Sequence, residues 1–299
     1  MDKHKNVLDV LEHSDDVLTE TPEMKNLILH CENDDNIYSV PDKMCDSHGH
    51  NIYAYVTLVM MGDSYIPAAI VLAKSLINCG SRADKVVLVT NDVSEEGRRI
   101  LKQYYDVVKE VSYVNIEHWH VKKDAMRRYL NMLFTRLHAL NLVQYKKIIL
   151  IDADTIVLQH PDHLFTLDTP AGYFIDQSIT SNNIDAWEKI CSNTYGELIP
   201  SNITDSVKSD YDIAGISNKL LVLTPKVGEF DDIVMNISSG ITKALIENKF
   251  NYPDQQYLTL RYSGKWHQVN PRFIGLNGYP HWKILFGIQF DEKPFALKI

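Results

Sequence analysis

The stretch Lys147-Ile148-Ile149-Leu150-Ile151-Asp152-Ala153-Asp154-Thr155 decides the fold. Its aliphatic run is apolar on both faces, which suits a strand in the middle of a sheet that helices cover on each side. The run ends in two carboxylates at the carboxyl end of that strand, where open α/β sheets hold their ligands. Side chains alternate along an extended segment, so Asp152 and Asp154 are expected to face one way and the small Ala153 the other. Two carboxylates so placed repel unless a cation lies between them. A hard divalent ion, manganese or magnesium, accepts such oxygens and also binds a diphosphate. Asp-x-Asp also fits a plain turn or helix cap after the strand.

The chain on either side supplies the matching elements. Tyr53 to Val59 reads as a buried strand. Ser64 to Asn78 reads as a helix capped by Asp63 or Ser64, with Pro67 in its first turn and Ile70, Leu72, Ala73, Leu76 and Ile77 inward. Lys85 to Thr90 is the next strand, Ser94 to Tyr104 the next helix and Val107 to Val111 a third strand. Met126 to Leu140 is helical, with Leu130, Leu133, Leu137 and Leu140 on one stripe. Strands alternating with helices of this length predict an α/β fold with a mostly parallel, Rossmann-like sheet and helices on both faces. Downstream the pattern is less regular. Gly172 to Asp176 and Lys219 to Thr224 read as strands and Glu229 to Asn248 as a helix. The polar span Thr180 to Asp210 has the length of a functional lid.

Composition narrows the function classes. The chain has 299 residues, 45% hydrophobic and 23% charged, which suits a globular protein with a sizeable core. A net charge of −9 argues against nucleic acid as a partner, since phosphate binding needs a basic surface. Residues 1–50 are acidic and poor in apolar groups, so they are expected to form an appendage, with residues 51–299 as a single domain. Cys31, Cys45, Cys79 and Cys191 are too sparse for a disulfide scaffold, and Cys31, Cys45, His48 and His50 match no common zinc spacing. The sequence carries no apolar run long enough to span a membrane and no apolar signal core, so a cytoplasmic location is expected.

One family brings these features together. Thr135-Arg-Leu-His-Ala-Leu-Asn-Leu-Val-Gln-Tyr-Lys-Lys-Ile-Ile-Leu-Ile-Asp-Ala-Asp-Thr-Ile-Val-Leu158, followed by Asp162-His-Leu-Phe165, closely resembles the central motif of glycogenin-like glycosyltransferases of family 8. Tyr53-Ala-Tyr-Val-Thr-Leu58 with Tyr65 is similar to their first βα unit. Asp254-Gln255 resembles their second catalytic motif, and Lys293-Pro294-Phe295 their Lys-Pro-Trp. The similarity runs from about Tyr53 to Phe295.

The resemblance implies a GT-A fold with an irregular C-terminal acceptor half, a UDP-sugar donor, a manganese (or magnesium) cofactor and retention of anomeric configuration. By position, Thr57, Leu58 and Tyr65 would cradle the uracil and ribose. Arg127 and Arg136 would lie near the diphosphate and sugar, although the family usually has Lys at the second position. Asp152, Ala153 and Asp154 would meet the metal and diphosphate, with His281 completing the metal shell and Lys293 adding positive charge. Asp176 would face the sugar or acceptor, and Asp254 would sit beside the anomeric carbon with Gln255 next to it. Where the family has an Asn-Ser-Gly turn, this chain has Ser217-Asn218-Lys219. The expected activity is transfer of a hexose, glucose as the first choice, to a hydroxyl on a glycan or protein. A catalytically degenerate protein that binds a nucleotide-sugar or a partner is the alternative, and a homodimer is among the expected assemblies.

Overall fold

β1 (Tyr53–Val59) and β4 (Lys147–Ile151) lie side by side in parallel, in register from Tyr53 with Lys147 to Val56 with Leu150. The computed structural model describes residues 39–118, 125–157, 160–175, 195–269 and 288–289. β2 (Asp84–Val89) and β3 (Val107–Glu110) extend the sheet beyond β1. β7 (Gly215–Leu223), β6 (Ala171–Ile175) and β8 (His267–Gln268) extend it beyond β4, giving the order β3-β2-β1-β4-β7-β6-β8. β7 runs against both of its neighbours, while the other pairings in this sheet are parallel. A separate two-stranded ribbon pairs β5 (Thr155–Ile156) with β9 (Ile288–Gln289).

Alternation along the strands feeds two cores. On one face, α1 (Ile66–Asn78) and α2 (Glu95–Leu101) cover Tyr53, Tyr55, Val59, Val87 and Val89 with Ile66, Ile70, Leu72, Leu76 and Leu101. On the other, Ala54, Val56, Leu88, Ile148 and Leu150 pack against a 3-10 helix, Ala125–Asn141, and against α4 (Glu229–Ile237) and α6 (Pro253–Arg261). Each fully buried aliphatic side chain contributes about 1.5–3 kcal/mol, and the sheet is held between two such layers. The expected mostly parallel, Rossmann-like sheet with helices on both faces is what the chain forms.

Several local expectations are corrected. α1 starts at Ile66, and neither Asp63 nor Ser64 caps it with a side chain. Asp63 reaches across instead to α2, where it accepts bonds from Ser94 N at 2.9 Å and Ser94 Oγ at 2.6 Å. Ile77 is 50% exposed, not inward. The segment expected as a regular helix from Met126 is the 3-10 helix, broken at Arg127. A three-residue turn lines up Phe134, Leu137 and Leu140, which are buried, and leaves Leu130 and Leu133 only half-buried. The single helix expected over Glu229 to Asn248 is two, α4 and α5 (Gly240–Asn248). They part at Ser238-Ser239-Gly240, where Gly240 adopts φ +60°, a left-handed value that a continuous helix does not tolerate.

Within residues 39–50, Met44 is buried in the same core cluster as Tyr53, and its carbonyl accepts from Ile52 N at 2.9 Å. Residues 1–38 of the expected appendage, and 180–194 of the expected lid, lie outside the described residues. The lid's described remainder folds into short turns, α3 (Ser201–Thr204) and the 3-10 turn Asp205–Lys208.

Candidate active site

β4 ends at Ile151, and the next four residues make a turn, with Thr155 N donating to Asp152 O at 3.2 Å. Strand alternation therefore does not extend through Asp154, which corrects the reason given for its orientation. Packing separates the side chains all the same. Ala153 is buried against the residues of β1 and α1, among them Val59, Ile66 and Ala69. Asp152 and Asp154 stay half-exposed.

Three other elements bring charged or polar groups to this turn. The 3-10 helix Ala125–Asn141 carries Arg136, whose Nη2 lies 2.9 Å from Asp152 Oδ1 with the guanidinium almost wholly buried. β7 approaches from the other side, and Asp152 N donates to Lys219 O at 3.3 Å. Lys219 occupies the family's glycine position in ordinary strand geometry. Among the described residues, Met61 is the non-glycine with a positive φ.

α6 supplies Asp254 and Gln255 in its first turn, with Pro253 at the start, where its missing N–H removes no helical bond. Asp254 is 1% exposed and accepts from Asn218 Nδ2 at 2.6 Å. The neighbouring Gln255 Oε1 accepts from Asn218 N at 3.1 Å. Gly215 lets β7 lie this close to α6. It sits at φ +80°, and Thr259 Oγ1 fills the place of its missing Cβ while accepting from Ile216 N at 2.7 Å.

Burial pushes the Asp254 carboxyl above the usual carboxylate range. The Arg136 charge and the Asn218 amide pull it back, and the nearby Asp152 charge pushes it up again. Arg136, Asp152 and Asp254 are thus one electrostatic unit, although they come from three separate stretches of chain. The sequence reading missed Asn218 as a partner of Asp254. The signal was present in Ser217-Asn218, which stands where the family turn falls.

The donor set at the turn is carboxylate oxygen, the chemistry of a hard divalent cation. Asp152 and Asp154 could supply two such ligands. Among the described residues no group of three His, Cys, Asp or Glu is placed to hold a metal, and that includes Cys45, His48 and His50. His281, Lys293 and Asp176 lie outside the described residues.

The expected nucleotide residues flank the carboxyl end of β1. Tyr65 is 47% exposed at the start of α1, and Leu58 is half-buried. Thr57 is buried, and its Oγ1 has no hydrogen-bond partner among the described residues. Arg127 is exposed at the break in the 3-10 helix, whereas Arg136 is inside. Among the described residues no helix is long and apolar enough to cross a membrane.

A family model described as Glycosyl transferase family 8 matches residues 56–201. An uncharacterized protein of Acanthamoeba polyphaga mimivirus is 36% identical over 229 residues, which cover 77% of this chain and 74% of that protein. Glycogenin-1 of Caenorhabditis elegans is 36% identical over 113 residues, 38% of this chain and 26% of the relative, so the match spans about a quarter of that protein. Among solved structures, the galactosyltransferase LgtC in complex with donor and acceptor sugar analogs superposes with a TM-score of 0.49 at 14% identity, covering 79% of this chain and 86% of that one.

Proposed function

This chain belongs to glycosyl transferase family 8, and from that premise we propose that it is a retaining hexosyltransferase. It moves a hexose, glucose as the first choice, from a UDP-sugar to a hydroxyl of a glycan or protein. The observation that carries this reading is the meeting of Arg136, Asp152, Asn218 and Asp254 at the carboxyl end of β4, with Arg136 2.9 Å from Asp152 and Asn218 2.6 Å from Asp254.

A diphosphate leaves easily only if its growing negative charge is met by positive charge already in place. Asp152 and Asp154 would hold a divalent cation, which supplies Lewis-acid neutralisation of that diphosphate. Arg136 is held in position by Asp152, so its charge needs little reorganisation as the bond breaks. Asp254 is a desolvated carboxylate steadied by one amide, the environment suited to facing a sugar carbon that turns cationic. A cytoplasmic location and a homodimer belong to the same reading and are open to fractionation and light scattering.

The test is UDP release from a panel of UDP-hexoses in manganese and in EDTA, read with and without glycan acceptors. Release that needs manganese and favours one sugar is the expected result. UDP binding without release from any sugar would move the protein to the alternative, a binding protein without catalysis.

A further inference from the structure

The loop between β1 and α1 holds the most unusual backbone among the described residues. Met61 adopts φ +61°, a left-handed conformation that a long side chain disfavours, and Gly62 follows at φ +85°. Such a conformation persists only where its surroundings impose it. Here the surroundings can be named. Met61 N donates to Tyr113 Oη at 2.9 Å, and Tyr113 Oη donates in turn to Asp92 Oδ2 at 2.9 Å. Thr90 Oγ1 donates to Asp92 Oδ1 at 2.5 Å, and Asp92 also takes a backbone hydrogen bond from Gly62. The next residue, Asp63, is pinned to α2 through Ser94.

The lock is therefore built from the ends of β2 and β3 and acts on the loop that leaves β1. That loop lies at the ligand-binding end of the sheet, beside the Asp152 turn, whose Ala153 packs on Val59, Ile66 and Ala69 from the loop's two flanks. Tyr113 and Asp92 are not among the residues the family motifs assign.

We propose that Tyr113 and Asp92 are positioning residues for the donor nucleotide. By holding Met61 in the left-handed conformation they present the backbone of the Met60 to Asp63 loop, and Tyr65 behind it, in a binding-ready shape. This rests on the transferase reading above, and it adds a cause for the loop's conformation and two residues outside the site that set donor affinity. Neither residue needs to touch the nucleotide, because the loop transmits their effect.

The test uses the full chain with UDP and manganese. Tyr113→Phe removes the hydroxyl that links Met61 to Asp92. It is expected to weaken UDP binding by calorimetry roughly fivefold, the size of one ordinary hydrogen bond. KM for the donor should rise alongside, with kcat within about twofold of wild type. Amide exchange in peptides covering residues 60–64 should quicken without any ligand. The decisive variant is Tyr113→Phe with Met61→Gly. Glycine adopts the left-handed conformation without steric cost, so UDP affinity should return to within about twofold of wild type. Unchanged UDP affinity in Tyr113→Phe, or a glycine that fails to rescue it, would overturn the inference and leave the transferase reading standing. A wild-type protein that binds no UDP would overturn both.

Discussion

Asn218 donates its side-chain amide to Asp254 at 2.6 Å, joining the antiparallel strand β7 to the first turn of α6. The bond favours the ionised form of a carboxylate that burial otherwise drives toward its protonated form.

Asn218→Ala removes that bond, so the Asp254 carboxyl rises further in pKa. At neutral pH kcat is expected to fall about tenfold. The acidic limb of the pH–rate profile should move to higher pH, because a weaker acid needs a higher pH to ionise. A profile of unchanged shape, merely lower, would show that Asn218 acts on the fold and not on Asp254.

Asp254→Asn separates stability from activity. The folded-state pKa of Asp254 lies above its unfolded value. Its ionisation therefore costs stability as pH rises through the window between those two values, and the cost is fully present above the folded pKa. The amide cannot ionise, so the variant should melt higher than wild type at neutral pH and lose that advantage on acidification. Transfer should drop by at least about 100-fold. Melting scans at two pH values, beside a transfer assay, check both halves.

Arg136→Ala is expected to lower turnover about 100-fold while changing UDP affinity by less than about threefold, because diphosphate charge grows in the transition state. Arg136→Lys should recover part of the loss, since it keeps the charge and gives up the fork that meets Asp152. Equal losses in turnover and affinity would point to simple binding.

Manganese is expected to raise the melting temperature of the wild type, and UDP to raise it further only when metal is present. In Asp152→Asn both increments should shrink to those of an EDTA control. Equal UDP affinity in EDTA and in manganese would remove Asp152 and Asp154 from metal binding.

Cutting the chain before residue 39 should leave donor hydrolysis intact. A cut after Cys45 removes the buried Met44 from the core and should cost about 2–5 kcal/mol, the range for emptying a buried methionine site. Denaturant midpoints of the two truncations, read side by side, test where the docked part of the N-terminal region begins.

The strands and their order of alternation with helices were legible because their signal is local. Lys147 to Ile151 is apolar on both faces in any context, and Pro67 and Ser94 mark helix starts by their own chemistry. The position of Asp152 at the end of a central strand followed from the same reasoning. The candidate site beyond that turn depended on tertiary structure. The family resemblance named Arg136 and Asp254 without their contacts, and no spacing rule predicts that an antiparallel strand will carry Asn218 to the start of α6. The left-handed Met61 could not be read either, because methionine gives no sign of it and its cause is the hydroxyl of Tyr113, 52 positions away. Sequence determined what each segment prefers alone, since propensity and pattern are short-range. Tertiary structure decided which side chains share a desolvated space, since burial and charge act through distance and not along the chain.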